Sequence, residues 1–216
     1  GEIIWILYGV GNSAFIMLVS TIIPIYLNHL AEAAGIAPHD YLAYWGYAAS
    51  TVTLLVVLTG PLLGALSDMR NMKKRIFTLV VLMGVIGCVC LGLPTTWIGF
   101  LLVFIIAKAG YSLSLIFYDS MLADITDNAR MDKVSSTGYA WGYIGSCIPF
   151  VASLVVVLFY ETIGISFHLA MVIAFGITAL WWLGLSLPLY KSYHQKHYVD
   201  NDRQMLLSSF HNIGRT

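Results

Sequence analysis

The sequence predicts an all-α, polytopic membrane protein with six transmembrane helices. Of its 216 residues, 59% are hydrophobic and 10% are charged, whereas a soluble domain has about 25% charged residues. Ten of the eleven Lys and Arg residues are grouped at residues 70–75, at Arg130 and Lys133, and from Lys191 onward. Long uncharged segments between such groups are typical of helices that cross about 30 Å of hydrocarbon.

The apolar segments divide the chain into a bundle and a polar tail. Residues 1–190 form the predicted transmembrane bundle, and residues 191–216 form a linker on the cytoplasmic side. Within the linker, residues 200–213 could form an amphipathic helix on the membrane surface. The six predicted helices span about residues 3–27, 44–67, 76–93, 97–119, 135–160 and 165–190.

The first segment carries a polar residue in the middle of the membrane. Small residues such as Gly9 and Gly11 favour close packing between helices, and Pro24 predicts a break near the outer end. An amide in hydrocarbon needs partners, so Asn12 is expected to face either a neighbouring helix or a watery cavity. No basic region precedes this segment, so we expect it to be retained rather than cleaved as a signal peptide.

A short polar loop, Gly64–Arg75, separates the second and third segments. Its cluster of basic residues predicts a cytoplasmic position, because short loops rich in Lys and Arg are retained on that side. The alternating loops carry Glu32, Asp40 and Glu161 without Lys or Arg, as is typical of loops outside the cytoplasm. Both termini are therefore expected on the cytoplasmic side.

The fourth segment contains Lys108, which lies about 16 Å from the predicted start of its helix and close to the membrane midplane. A charge at that depth costs about 3 kcal/mol or more, so it should face a cavity or a counter-charge. Tyr111, Leu115 and Asp119 share its face at helical spacing. A structural ion pair or a neutral buried lysine are the alternatives to a role in a transport path.

The fifth and sixth segments are predicted to serve mainly in packing between helices. Gly138, Gly142 and Gly145 lie on one side of the fifth helix and predict close contact with another helix. The preceding loop contains Met121, Leu122 and Ile125, which suggest a short surface helix. His168 near the outer end of the sixth segment is expected to be hydrogen-bonded rather than functional.

Residues that could support catalysis or metal binding form no convincing constellation. The three cysteines lie within apolar segments and predict neither a disulfide nor a metal site, and Ser146 has no evident base. His194 and His197 have a spacing found at metal sites but no third ligand nearby, which favours a solvated tail. We expect no enzymatic activity, no cofactor, no metal and no nucleic-acid partner.

The Gly64–Arg75 loop resembles the signature loop between helices 2 and 3 of the major facilitator superfamily. Gly64, Asp68, Lys73 and Lys74 match a Gly followed by an Asp four residues later, a tight turn and a basic pair. Met69 stands where a basic residue usually follows the Asp, and Arg70 supplies one a position later. Asn71 replaces the turn glycine, and Asn enters the left-handed backbone region more easily than other residues with a side chain.

Three further stretches resemble one branch of that superfamily, the vacuolar amino-acid effluxers of autophagy and their bacterial relatives. They are residues 8–15 in the first helix, residues 117–122 at the end of the fourth, and residues 134–145 at the start of the fifth. Two positions depart from the pattern of the branch. Gly9 replaces an acid in the first stretch, and Asp119 replaces an Asn in the second.

The resemblance implies the N-terminal half of a secondary active transporter, built from two inverted three-helix repeats. Its partners would be a small polar solute, possibly an amino acid, the lipid bilayer, a C-terminal six-helix half or a second copy of the chain, and possibly a proton as the coupling ion. The bacterial plasma (inner) membrane is the expected location. A non-transporting scaffold or receptor built on the half-bundle is the alternative.

Two groups of site residues follow from this reading. Substrate binding or ion coupling is assigned to residues at or near the midplane and to the acid at the cytoplasmic end of the fourth helix. Gating is assigned to the loop between the second and third helices. The first group is Lys108, Asn12, Tyr8, Tyr111 and Asp119, and the second is Gly64, Asp68, Arg70, Lys73 and Lys74.

Overall fold

The computed structural model describes residues 1–199, and these residues form a helical bundle. In the described part of the chain the only β pairing is an isolated bridge between Met69 and Val199. The helices are α1 (Glu2–Ser20), α2 (Ile22–Ala33), α3 (Pro38–Ser67), α4 (Lys73–Cys90), α5 (Trp97–Ile125), α6 (Met131–Leu158), α7 (Tyr160–Ile163) and α8 (Phe167–Ser192).

Among residues 1–199, five helical spans are long and apolar enough to cross a membrane: α1 with α2, then α3, α5, α6 and α8. Helix α4, where the sequence predicts a further span, is not among these five. Its first turn carries three cations, and its chain is uncharged from Ile76 to Cys90. Lys and Arg at a helix end can extend toward the membrane surface while the rest of the helix stays in hydrocarbon. The all-α, multi-pass fold predicted from composition is confirmed.

The packing of the helices follows an internal symmetry. Helix α1 packs mainly against α6 and α8, whereas α5 packs mainly against α3 and α4. The first and fourth spans therefore have equivalent neighbours in the two halves of the bundle, and α4 and α8 meet between them. This arrangement is the one expected of two three-helix repeats with inverted topology.

Glycines allow the closest helix contacts in the core. A Cβ at Gly110 would lie 2.5 Å from the backbone nitrogen of Gly84 and 2.8 Å from the carbonyl oxygen of Val80. A Cβ at Gly87 would lie 2.9 Å from the Cα of Ala107. Helices α4 and α5 therefore touch through their backbones, as small residues permit in membranes.

The predicted glycine face of α6 is confirmed as a packing surface against α1. A Cβ at Gly138 would lie 2.9 Å from the ring of Trp5, and one at Gly145 would lie 2.6 Å from Val10. At Gly142 the nearest atoms are Oγ of Ser13, at 3.0 Å, and the carbonyl oxygen of Gly9. Any side chain at these positions would push α6 away from α1.

Several helix limits differ from those predicted. The first span breaks at Thr21 rather than at Pro24, and it continues to Ala33. The second span begins at Pro38, since proline fits the first turn of a helix where its missing N–H is not needed. The predicted short surface helix at Met121–Ile125 does not exist as a separate element, because α5 continues through Ile125.

One end of the bundle collects the chain start, the Gly64–Arg75 loop, the loop after α5 and the segment after α8. We call it the loop-side end. Glu2 accepts a hydrogen bond from Thr126, and its carboxylate lies 3.0 Å from Arg130. Arg70 and Asp68 exchange backbone hydrogen bonds with Val199. The predicted amphipathic helix at residues 200–213 lies outside the described residues.

Candidate functional site

A cavity of about 120 Å³ lies between α1, α5 and α6. Its walls combine aromatic rings, hydroxyls, an amide and a carboxylate, all supplied by helices that cross the membrane. The lining residues are Trp5, Gly9, Asn12, Ser13, Ile16, Tyr111, Leu115, Tyr118, Asp119, Ser135, Gly138, Tyr139 and Tyr143. Three of the predicted site residues therefore meet at this cavity: Asn12, Tyr111 and Asp119.

Asn12 is buried, with 3% of its surface exposed, and its side-chain Nδ2 has no hydrogen-bond partner among the described residues. Its Oδ1 lies 3.4 Å from Oγ of Ser13. A buried amide without a partner loses about 1–3 kcal/mol relative to its hydrated state. The cavity beside Asn12 therefore offers an unused hydrogen-bond donor to a polar guest.

Tyr8, another predicted site residue, lies behind the cavity wall rather than in it. Its hydroxyl donates to Ser114 at 2.8 Å and accepts from Nε1 of Trp182 at 3.3 Å. The ring is fully buried against Phe77. With its hydroxyl satisfied, Tyr8 joins α1, α5 and α8 and fixes the position of the turn that carries Asn12.

The loop-side wall of the cavity is held by a reciprocal pair, Trp5 and Tyr118. Nε1 of Trp5 donates to the carbonyl oxygen of Tyr118, and the hydroxyl of Tyr118 donates to the carbonyl oxygen of Trp5, both at 2.8 Å. Their rings stack with centroids 4.1 Å apart. Gly9 makes room for this pair, because a Cβ there would lie 2.7 Å from the Tyr118 hydroxyl.

Lys108 lies one turn before Tyr111 on α5, outside the lining of this cavity. Its Nζ lies 4.6 Å from the centroid of the Tyr111 ring, at cation–π distance. No carboxylate of the described residues lies within 4.0 Å of it. Tyr111 thus contacts the cation on one side and the cavity on the other, and it also packs against Phe15.

Asp119 marks the opposite end of the same helical face. The eleven residues that separate it from Lys108 correspond to about 16 Å along a helix. Asp119 is exposed at its end of the cavity, and Leu115 and Tyr111 lie between it and Lys108. The face therefore runs from a cation to an acid along α5, as its spacing predicts.

Two tyrosines of α6 line the cavity and are absent from the predicted site. Ser135, Tyr139 and Tyr143 are four residues apart in turn, so they share one face of the helix. The sequence signal that could have identified them is this spacing, beside glycines that pull α6 toward α1. Their hydroxyls add donors and acceptors opposite Asn12 and Asp119.

The Gly64–Arg75 loop makes the turn predicted for it. Asn71 has φ 60°, and no other residue with a side chain has positive φ among residues 1–199. Oδ1 of Asp68 lies 3.7 Å from Nζ of Lys73, whose side chain is 6% exposed. Asp68 does not cap the next helix, because Met72 stands at the N-cap of α4 and makes no side-chain cap bond among the described residues.

The segment after α8, Tyr193–Val199, packs across the loop-side end and is here called the strap. Asp124 accepts hydrogen bonds from the Tyr193 hydroxyl and from the backbone amides of Lys196, at 3.1 Å, and His197, at 2.9 Å. Burial and the bond to Asp124 raise the pKa of Tyr193. His194 and His197 are exposed, as expected of a solvated tail, but the strap that carries them is fixed to α5.

The strap also binds the loop. Nε2 of Gln195 donates to the carbonyl oxygen of Ser67 at 3.0 Å, and the backbone N–H of Val199 donates to the carbonyl oxygen of Asp68 at 2.8 Å. The ring of Tyr198 lies 5.4 Å below the guanidinium of Arg70. Asp124 and the strap thus join the ends of α3, α5 and α8.

Comparisons with known proteins place these features in a family context. The sequence profile of the family described as vacuole effluxer Atg22 like matches residues 37–216. The chain is 35% identical over 217 residues to a protein of Bacillus subtilis (strain 168) named uncharacterized MFS-type transporter YxiO. That alignment covers 98% of the chain and 51% of the relative, so the chain spans about half the length of the curated relative it matches. No solved structure matches it.

Proposed function

The chain belongs to the vacuole effluxer Atg22-like family, within the MFS-type transporters, and from this premise we propose that it is the N-terminal half of a secondary active transporter for a small polar solute. The observation that carries the proposal is the polar cavity between α1, α5 and α6. It lies within a bundle of membrane-crossing helices and holds the unpartnered Nδ2 of Asn12.

An amino acid fits the chemistry of this face. The donor of Asn12 and the ammonium of Lys108 suit a carboxylate, whereas Asp119 and the hydroxyls of Tyr139 and Tyr143 suit an ammonium. Tyr111 stands between the two groups and can orient the solute. Asp119 is also the candidate for proton coupling, because it is an exposed carboxylate at the end of the cavity that is without an ion pair among residues 1–199.

A second bundle is proposed to cover α3 and α6. Helix α3 is the least buried of the five candidate spans, and α6 is the next. A Cβ at Gly46 or Gly64 of α3 would meet no other atom of residues 1–199 within 4 Å, which leaves room for a close neighbour. The partner is either a C-terminal six-helix half or a second copy, and alternating movement of the two bundles would expose the cavity to each side in turn.

Uptake into proteoliposomes tests the proposal. The protein encoded by the complete reading frame is reconstituted, and radiolabelled amino acids are added outside the proteoliposomes, with and without a proton gradient. Asn12→Ala should lower uptake of the accepted solute at least tenfold, because the lost hydrogen bond serves a desolvated ligand. Ser20→Ala is the control, since Ser20 is exposed and its hydroxyl bonds only to the nearby residues Met17 and Thr21 among residues 1–199.

The outcomes separate the proposed classes. Uptake that requires Asn12 and is unaffected by Ser20→Ala supports the transporter. Specific solute binding without flux in the complete protein would favour the receptor or scaffold alternative. Equal uptake by the wild type and Asn12→Ala would exclude this cavity as the binding site, even though transport is observed.

A further inference from the structure

A second cleft, distinct from the cavity, lies at the loop-side end between the start of α4 and the end of α8. Its volume is about 600 Å³, and it is lined by Lys74, Arg75, Thr78 and Leu79 on one wall and by Tyr190 and His194 on the other. The cleft therefore belongs to the third and sixth spans, whereas the cavity belongs to the first, fourth and fifth. Among the residues assigned above to binding or gating, only Lys74 lines this cleft.

The cleft is basic, and none of the described residues that line it is an acid. Lys73, the preceding cation, is buried and lies 3.7 Å from Asp68. Lys74 and Arg75 face the cleft instead, and neither has a carboxylate within 4.0 Å among residues 1–199. Nζ of Lys74 lies 4.7 Å from the centroid of Tyr190, which holds the ammonium at the mouth of the cleft.

Below the basic mouth, the same two helices expose apolar side chains. Leu79 is 66% exposed, and Ile86, two turns further along α4, is 59% exposed. On α8, Leu187 is exposed one turn before Tyr190. The surface thus changes from cationic to aromatic to aliphatic within a few turns, and this order complements the anionic headgroup, the interfacial region and the acyl chains of an anionic phospholipid.

We propose that this cleft binds the headgroup of an anionic phospholipid. Lys74, Arg75 and His194 would contact the phosphate and its anionic substituents, and the acyl chains would lie along Leu79 and Ile86. A free inorganic anion would use only the upper part of this surface. The continuous apolar strip is the reason for assigning a lipid rather than a soluble phosphate.

Binding is tested on the complete protein in detergent by titration with dioctanoyl phosphatidylglycerol while the Tm is recorded. Ligand that binds only the folded state raises the Tm. Dioctanoyl phosphatidylcholine, which lacks net charge, and inorganic phosphate, which lacks acyl chains, are the matched probes. The proposal predicts a saturable increase with phosphatidylglycerol and little change with either of the other two.

Variants locate the site. The double variant Lys74→Gln with Arg75→Gln should weaken the apparent affinity for phosphatidylglycerol by about 30-fold, from two lost charge contacts. The control Lys133→Gln with Lys191→Gln removes the same charge from exposed positions outside the cleft and should leave the affinity unchanged. Arg75→Lys keeps the charge and should bind within a few-fold of wild type, so the test stands even if the double variant folds poorly.

Three results would overturn the proposal. The first is an equal response to phosphatidylglycerol and phosphatidylcholine, which would indicate nonspecific amphiphile binding. The second is an increase in Tm produced by inorganic phosphate alone, which would indicate an anion site. The third is an affinity that does not follow the charge. This would be an unchanged affinity in the Lys74→Gln, Arg75→Gln variant, or a loss of affinity in Arg75→Lys as large as the loss expected on removal of the charge.

Discussion

Nδ1 of His197 lies 2.8 Å from Oδ1 of Asp124, although 73 residues separate them in the chain. The same carboxylate also accepts the backbone amides of Lys196 and His197 and the hydroxyl of Tyr193. The Asp124 side chain is 1% exposed, whereas that of His197 is 74% exposed. A single buried acid at the end of α5 therefore holds the start of the strap that follows α8.

Replacement of Asp124 by alanine should release the strap and destabilise the bundle. Several donors would lose their acceptor, and each buried unsatisfied group costs about 1–3 kcal/mol. We expect the Tm of the purified protein to fall by several degrees, since 1 kcal/mol corresponds to roughly 2–4 °C in a chain of this size. Asp127→Ala, at an exposed position in the adjacent loop, is the control, and an equal Tm in both variants would contradict the role.

The contact between α4 and α5 makes Gly110 a sharp test of packing. A methyl group there would meet the backbone of Gly84 and Val80, which cannot rotate away. Overpacking of this kind costs about 1–3 kcal/mol, so Gly110→Ala should lower the Tm and the yield of monodisperse protein. Gly176→Ala on α8, where no atom lies within 4 Å of the new Cβ, should be tolerated. Equal behaviour of the two variants would argue against backbone contact between α4 and α5.

The sequence predicted the membrane class because hydrocarbon imposes a simple rule on composition and segment length. Among residues 1–199, five of the six predicted spans are long and apolar enough to cross a membrane. The sequence also predicted the left-handed turn at Asn71 and the glycine face of α6, since both depend on local residue type. Helix ends were less predictable. Helices continue beyond their apolar segments into polar sequence, as α5 does at Asp124. Tertiary contacts there decide whether the chain stays helical.

The candidate site was predictable only in part. The spacing of Lys108, Tyr111 and Asp119 on one helix is a local property, and the structure keeps them on one face. The position of Tyr8 behind the cavity wall and the strap on Asp124 depend on contacts across the bundle, between residues more than 65 positions apart. The residue pattern within one segment cannot predict contacts between distant segments.

The pairing of Asp68 with Lys73 predicts a modest role in the transport rate. Asp68 is exposed whereas Lys73 is buried, and breaking a partly exposed pair changes an equilibrium by about two- to fivefold. Asp68→Asn in the complete transporter should slow turnover by that factor while membrane insertion is retained. Asp40→Asn alters an exposed acid at the other end of α3 and should have no effect. Unchanged turnover in Asp68→Asn would contradict the assignment of Asp68 to gating.

Charge segregation predicts that the loop-side end faces the cytoplasm. In a chain with Cys147 replaced by alanine, a cysteine at Lys133 should be protected from an impermeant maleimide in intact cells. A cysteine at Glu161, on α7 at the opposite end, should be labelled. Both should react after the cells are opened. The reverse pattern in intact cells would invert the orientation without altering the fold.

Lys108 provides the final test of the site, because its ammonium lies over Tyr111 and is without a carboxylate within 4.0 Å among residues 1–199. Lys108→Met preserves much of the side-chain volume and removes a charge that is costly in hydrocarbon. We expect the variant to fold with an unchanged or higher Tm, yet to lose solute uptake at least tenfold, since a charge-assisted contact contributes about 1.5–3 kcal/mol. Lys108→Arg should retain part of the uptake, and Lys191→Met, which removes an exposed cation, should retain all of it. Full uptake by Lys108→Met would show that the cation serves structure rather than the solute.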